Sequence, residues 1–437
     1  MLHKITYPWL EDKCICILLI LSMFSVFKIK IAGFPLYSLL LLTITSVWLL
    51  LKILYIGRDG EIFPAIRYLT DTVAITAILY AILSVIVKLF STSQEGWIDF
   101  SWNAEMIALA VICLLVSSGA QFKTFYLDLL LYCGLLVAGV YLLCSLTDGL
   151  QSSVMEALLA DHARISSCFL LVGMIAVYAY CACRDQMRSL FYMMVSAISF
   201  FVLFLNQNAI SLWLMGIYFL MIPVMIRPTA VWVKRSMQLF FIYLFMLSNM
   251  SLLTEYTQII RTEISYSLEY SVYMDLLIAA GGAAFFYYWD RIPEGVDLNR
   301  LVLKKMQKGY RFIAAMVLII FVAIVIDGGR AVLPEGMSYD MVRFLIVPLA
   351  EAAGHSKSGI LQCFQAIGVL PGVLLLVSIA LFMGRLRRNY APDRPAVGIL
   401  ILISMFFLIQ LFFWNPGVHN IVCYFYLLLT ACFWQKE

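Results

Sequence analysis

One polar stretch of this largely apolar chain, residues 327–358, holds several cationic and titratable side chains. The stretch carries Arg330, Asp340, Arg343, His355 and Lys357. Arginine suits phosphate groups because its planar guanidinium matches two oxygens. Histidine titrates near neutral pH and can accept a proton from a hydroxyl group. These residue types predict a site that binds an anionic phosphate group.

Each of these residues also has a simpler interpretation. Arg330 or Arg343 could anchor a helix among lipid headgroups, and His355 could be a solvated loop histidine. Asp340 and Arg343 are three residues apart and could form a local salt bridge. The concentration of several cations in one segment favours the functional interpretation.

The elements that must position these residues are membrane helices. The chain of 437 residues is 63% hydrophobic and 13% charged, with a mean hydropathy of +0.95, whereas soluble domains carry about 25% charged residues. Apolar runs of roughly twenty residues recur throughout. We therefore expect one all-α integral membrane domain over residues 1–437, with no nucleic-acid partner, no metal and no cofactor.

The apolar runs predict a bundle of 12–14 spans. Helices that cross a bilayer need about twenty predominantly apolar residues. Approximate limits are 14–27, 33–55, 71–90, 105–120, 124–145, 165–182, 189–206, 209–226, 236–254, 271–289, 312–326, 359–383, 396–414 and 419–434.

The basic residues predict the orientation of these spans. If both termini are cytoplasmic, about 22 of the 30 lysines and arginines fall inside, as expected from the positive-inside rule. The first hairpin is an exception, because it puts Lys28 and Lys30 outside. The longest outside loop is then residues 327–358, before the last three spans. Within it, Val342, Leu345 and Leu349 give a short amphipathic helix an apolar face.

One segment resembles a known family. The stretch HSKSGILQCFQAIGVLPGVLLLVSIALFM, from His355 to Met383, resembles a motif of the O-antigen ligase and O-antigen polymerase superfamily. The pattern is His-Ser-His-Asn-Gly-aromatic-Leu-Gln, followed by a glycine six residues after the glutamine. Matching residues are His355, Ser356, Gly359, Leu361, Gln362 and Gly368. Lys357 stands where the pattern has its second histidine, and the segment Asn206–Trp213 lacks the arginine of the family's middle motif.

The resemblance implies glycan transfer at the outer face of a bacterial cytoplasmic membrane. The donor would be an undecaprenyl-pyrophosphate-linked glycan in the lipid bilayer, with other proteins of polysaccharide assembly as further partners. His355 would then be the base that approaches the acceptor hydroxyl. Pyrophosphate or glycan would be bound by Arg330, Arg343, Lys357, Arg261 and Asp340.

Other functions remain open from the residues alone. Polymerisation of surface polysaccharide repeats (O-antigen, capsule or exopolysaccharide) and ligation to another acceptor share the same chemistry. A flippase for lipid-linked oligosaccharide, or another transporter, would fit the number of spans, but a transporter is expected to carry charges near the middle of the membrane. A membrane protein without catalytic activity is the remaining alternative.

Overall fold

The computed structural model is nearly all helical. It describes residues 7–27, 29–31, 34–59, 72–90, 104–112, 115, 123–146, 162–206, 209–225, 230–249, 268–291, 369–388 and 395–413. In lipid a helix satisfies its backbone N–H and C=O groups internally, so long apolar segments fold as helices. Within these ranges, five helices are long and apolar enough to cross a membrane. This agrees with a helical membrane bundle.

The helices and two short strands are numbered here in chain order. They are α1 (Tyr7–Phe24), β1 (Lys30–Ile31), β2 (Phe34–Pro35), α2 (Leu36–Asp59), α3 (Thr72–Phe90), α4 (104–112), α5 (Thr124–Leu146), α6 (His162–Ala182), α7 (Gln186–Asn206), α8 (Ala209–Met225), α9 (Ala230–Ser248), α10 (Leu268–Trp289), α11 (Val369–Arg388) and α12 (Pro395–Phe413).

Most predicted spans coincide with a helix, with shifts at the ends. The predicted spans 165–182 and 189–206 agree closely with α6 and α7. The first helix begins at Tyr7 rather than at residue 14 and therefore includes its polar residues. The predicted spans 312–326 and 419–434 lie outside the described residues, so the number of spans stays a prediction.

The connection between α1 and α2 departs locally from the all-α prediction. Lys30 pairs with Pro35, and Ile31 pairs with Phe34, in a two-residue antiparallel ladder. This ladder reverses the chain and brings α2 back against α1. The hairpin includes Lys30, one of the basic residues that the topology assigns to the outside.

Helix α6 lies at the centre of the bundle. Within its membrane segment, 78% of the residues are buried, because α5, α7, α8, α9 and α12 all contact it. Its neighbour α5 approaches closely at Gly134, where a Cβ atom would lie 2.8 Å from Cγ1 of Val172. By contrast, only 11% of the α10 segment is buried, and its main contact is with α9.

Aromatic side chains join α7, α8 and α9. The ring of Tyr243 lies 5.3–5.8 Å from the rings of Phe200, Phe204 and Phe219. Its hydroxyl donates a hydrogen bond to the carbonyl of Leu212 at 2.6 Å. A buried phenol needs such a partner, so this contact fixes the position of α9 against α8.

Candidate functional site

The six residues of the predicted site lie outside the described part of the chain. They are Arg261, Arg330, Asp340, Arg343, His355 and Lys357. The predicted loop 327–358 and its amphipathic helix also lie outside it. Their convergence therefore stays a prediction, and the described residues supply the framework on either side of them.

The described part of the family-like stretch is helical. Helix α11 begins at Val369, immediately after Gly368, and continues through Met383 to Arg388. It packs against α3 and α12. The apolar segment that follows the predicted histidine motif is thus a helix within the bundle, as expected. Its last turn carries Arg385 and Arg388, which the topology assigns to the inside.

Polar side chains of neighbouring helices meet at two opposite ends of the bundle. We call these the predicted inner end and the predicted outer end, after the sides that the basic residues assign. For example, Asp128 and Tyr192 belong to the predicted inner end, and Ser38 and Glu105 to the predicted outer end. Several side-chain hydrogen bonds in the described residues join two helices near their ends. In each of these bonds, the topology assigns both partners to the same side of the membrane. The pairing of helix ends agrees with the predicted alternation of spans; which end faces the cytoplasm stays a prediction.

Two buried amides bridge the central helices at the predicted outer end. Asn206, the last residue of α7, donates to the hydroxyl of Ser166 on α6. Gln410 of α12 donates to Ser211 on α8 at 3.1 Å. All four side chains are buried. Hydrogen bonds between neutral groups hold membrane helices together without the cost of burying a charge.

Asn206 and Ser211, one residue from each of these hydrogen bonds, lie in the segment in which the family pattern has an arginine. Ser211 lies within Asn206–Trp213, and its neighbour across the helix interface is the neutral side chain of Gln410. Arg164 of α6 supplies a half-buried cation at the same end of the bundle. The described structure therefore has neutral groups at this position and a cation on a different helix.

A buried carboxyl group lies at the same end on another pair of helices. Glu105, in the first turn of α4, accepts a hydrogen bond from the hydroxyl of Ser38 on α2 at 3.1 Å. Both side chains are buried. Among the described residues, no three histidine, cysteine, aspartate or glutamate side chains converge as metal ligands would.

A second carboxylate joins α9 and α10. Asp275 accepts hydrogen bonds from Ser248, at the end of α9, and from Asn249. Asp275 is partly buried between the two helices. With these contacts, the described outer end contains amide, hydroxyl and carboxyl groups.

No known family, curated protein or solved structure matches this chain. The functional interpretation therefore rests on the residues of this chain.

The predicted inner end is dominated by charged pairs. Asp12 of α1 accepts hydrogen bonds from Lys123 and, at 2.6 Å, from the hydroxyl of Tyr126. Glu11 lies 3.8 Å from Lys52 of α2. These contacts tie α1 to α2 and α5; the pair of Lys123 with Asp12 is partly exposed and that of Glu11 with Lys52 is largely buried, and both suit a structural role.

Three further contacts link α5, α6, α7, α9 and α10 at the predicted inner end. Tyr192 donates to Asp128 at 2.5 Å. Arg235 donates to the carbonyls of Tyr180, at 2.9 Å, and of Cys183. It thereby caps the end of α6, where carbonyl groups lack partners within the helix. Lys234 pairs with Asp290 at 2.5 Å.

The polar contacts that the sequence did not predict involve uncharged amides or residues that lie far apart in the chain. Asn206 and Gln410 are single amides in apolar runs, and an intramembrane amide signals a partner on another helix without naming it. Ser248 and Asp275 lie on either side of one predicted outside loop, and this adjacency could have suggested their contact. Lys123 and Asp12 are 111 positions apart, and no local pattern connects them.

Proposed function

We propose that this protein polymerises lipid-linked repeat units of a surface polysaccharide at the outer face of a bacterial cytoplasmic membrane. The single observation that carries the proposal is the stretch from His355 to Met383, whose residue types and spacing follow the O-antigen ligase and polymerase pattern. The donor is a glycan on undecaprenyl pyrophosphate. Ligation of a finished glycan to another acceptor is the nearest alternative.

The reaction assigns a role to each predicted residue. An acceptor hydroxyl oxygen attacks the anomeric carbon of the donor sugar, while the bond from that carbon to the pyrophosphate oxygen breaks. His355 takes the hydroxyl proton, because imidazole has an unperturbed pKa close to neutrality. The leaving pyrophosphate keeps the bonding electrons. Its negative charge is stabilised by Arg330 and Arg343.

The remaining predicted residues bind substrate. Lys357 and Arg261 would provide further positive charge for the pyrophosphate, and Asp340 would accept hydrogen bonds from glycan hydroxyls or orient Arg343. A lysine stays charged at neutral pH unless it is desolvated. We therefore assign the proton transfer to His355 and charge stabilisation to Lys357.

The distribution of charge supports an enzyme over a flippase. In the described helices, charged residues lie within about two turns of a helix end. A transporter is expected to bind its substrate near the middle of the membrane, on a path that opens to both sides. This distribution supports an enzyme acting at the membrane surface over a transporter.

Alanine substitutions in the native host test this function. We expect His355→Ala, Arg330→Ala and Arg343→Ala to shorten or abolish surface polysaccharide on a gel, with single-repeat product accumulating. Lys357→Ala should have a smaller effect. The control is Arg188→Ala, at an exposed position at the start of α7 on the predicted inner end. If all four site variants reach normal amounts in the membrane and give the wild-type ladder, the proposed function is wrong.

The identity of the accumulated product distinguishes the two closest reactions. Loss of a polymerase leaves single repeats attached to the final acceptor or carrier. Loss of a ligase leaves full-length polymer on the lipid carrier. We expect single repeats; long lipid-linked chains would instead assign the ligase reaction to this protein.

A further inference from the structure

We propose that Asp275 binds sugar hydroxyl groups of the lipid-linked substrate, a role that rests on the proposed function and assigns a residue for glycan recognition. Asp275 lies on α10, two turns from its start at Leu268. Its side chain reaches the end of α9 at the predicted outer end. This is the membrane side at which the proposed reaction takes place.

The carboxylate is held in a defined orientation. The amide nitrogen of Asn249 lies 2.9 Å from each carboxylate oxygen, and the hydroxyl of Ser248 donates to Oδ1. Asn249 is itself anchored, because it also donates to the carbonyl of Phe245 at 2.9 Å. The donors thus fix the plane of the Asp275 carboxylate against α9.

This arrangement leaves capacity for a ligand. An ionised carboxylate has about four acceptor positions. In the described structure Ser248 donates to Oδ1, and Oδ1 and Oδ2 share the one N–H of Asn249 that is left after its hydrogen bond to Phe245, so Oδ2 can accept another hydrogen bond. Asp275 is partly exposed. Its donors in the described residues are neutral, and no lysine, arginine or histidine there forms an ion pair with it.

The sign of the charge selects the class of ligand. A carboxylate repels phosphate, so Asp275 is unsuited to the pyrophosphate group. It accepts hydrogen bonds from O–H groups, and a sugar ring presents several of these side by side. The sugar nearest the lipid pyrophosphate must lie close to the headgroup region. A polar carboxylate near the end of a membrane helix is suited to that depth, since ionisable groups within membranes usually face a cavity or a partner.

A purely structural role for Asp275 makes a different prediction. The same two helices are also joined at the predicted inner end by Lys234 and Asp290 at 2.5 Å. If Asp275 only clamps α9 to α10, then Asp275→Asn and Asp290→Asn should have similar consequences. Asp290 is therefore a matched control on the same helix pair.

Lipid binding by the purified full-length protein tests the proposal. The probes are undecaprenyl pyrophosphate alone and undecaprenyl pyrophosphate carrying the host's repeat unit, measured by native mass spectrometry in detergent. We expect Asp275→Asn to weaken binding of the glycosylated lipid about tenfold, equivalent to about 1.4 kcal/mol. Binding of the sugar-free lipid should be unchanged. Asp290→Asn should leave both affinities unchanged.

The outcomes separate failure of this proposal from failure of the proposed function. Equal affinities of Asp275→Asn and wild type for the glycosylated lipid, or an equal loss for both lipids, overturn glycan recognition by Asp275. The proposed function then survives if Arg330→Ala still weakens both lipids. If the wild-type protein binds neither lipid, both proposals are wrong. Should Asp275→Asn fail to accumulate, D275E keeps the charge but displaces it, and the same selective loss is expected.

Discussion

The two ends of the helical bundle use different polar chemistry. At the predicted inner end, cations supply several of the contacts between helices, as in Lys123 with Asp12 and Arg235 with the carbonyls of Tyr180 and Cys183, beside tyrosine hydroxyls that donate to carboxylates. At the predicted outer end, amides and hydroxyls pair with each other or with a carboxylate, as in Asn206 with Ser166. Arg164 is a described cation there, but the interhelical hydrogen bonds cited for that end have neutral donors.

This difference separates topology from chemistry. Cations at the inner end satisfy the positive-inside rule and find anionic partners within the protein. At the predicted outer end, Asp275 is held by neutral donors and forms no ion pair within the described residues. Neutral networks position such groups without neutralising them. We therefore assign the proposed substrate recognition to the predicted outer end.

The largest expected effect on stability is at the cap of α6. Arg235→Met should remove the hydrogen bonds to the carbonyls of Tyr180 and Cys183. Hydrogen bonds to charged groups contribute about 1.5–3 kcal/mol, so we expect a loss of about 2 kcal/mol and a clearly lower melting temperature in detergent. Arg188→Met is the control, because Arg188 is exposed and lies 3.9 Å from Asp185. Equal losses in the two variants would show that Arg235 has no specific capping role.

Two variants, each lacking one hydroxyl donor to an aspartate, allow a direct comparison of the two ends. Tyr192→Phe removes the described donor to Asp128, whereas Ser248→Ala leaves Asn249 in contact with both oxygens of Asp275. Hydrogen bonds between membrane helices contribute about 0.6 kcal/mol on average, and at most about 1.7. We expect Tyr192→Phe to cost about 1 kcal/mol and Ser248→Ala less than half of that, measured by chemical unfolding in micelles. The reverse order would mean that Asn249 does not support Asp275.

The sequence predicts where each helix begins and ends better than it predicts which helices pack against each other. Bilayer thickness and the absence of water impose long apolar helices, and basic residues order their ends, so the limits of α6 and α7 could be predicted closely. The central position of α6 could not. Helices α6 and α10 are both apolar on all sides, yet their membrane segments are 78% and 11% buried, because lipid and protein neighbours select similar side chains.

The same limit applies to the candidate site: its residue types can be read from the sequence, but contacts between helices cannot. The chemistry of His355 and the nearby arginines follows from residue type, and their roles follow from a family resemblance. The sequence shows Asp275 as an acid near the end of a predicted span. The orientation of its carboxylate depends on Asn249, which lies 26 positions away. Hydrogen-bond partners at that distance are set by how α9 and α10 pack. A pattern of residue types along one helix contains no such information.

The smallest expected effect concerns the ion pair between α1 and α5. Side chains of Lys123 and Asp12 are 48% and 31% exposed, and exposed pairs contribute about 0–1 kcal/mol. Asp12→Asn keeps an acceptor for Tyr126 but removes the charge. We expect the free energy of unfolding to fall by up to about 0.5 kcal/mol near 0.05 M salt, and this loss to disappear near 1 M salt, because the Debye length falls to about 3 Å.

Tyr126→Phe is the comparison variant. It should lower the free energy of unfolding by the same amount at both salt concentrations, since it removes a partly buried hydrogen bond of 2.6 Å. A salt-independent loss in Asp12→Asn would show that the inner end is held by hydrogen bonds, as the outer end is, and would remove the contrast between the two.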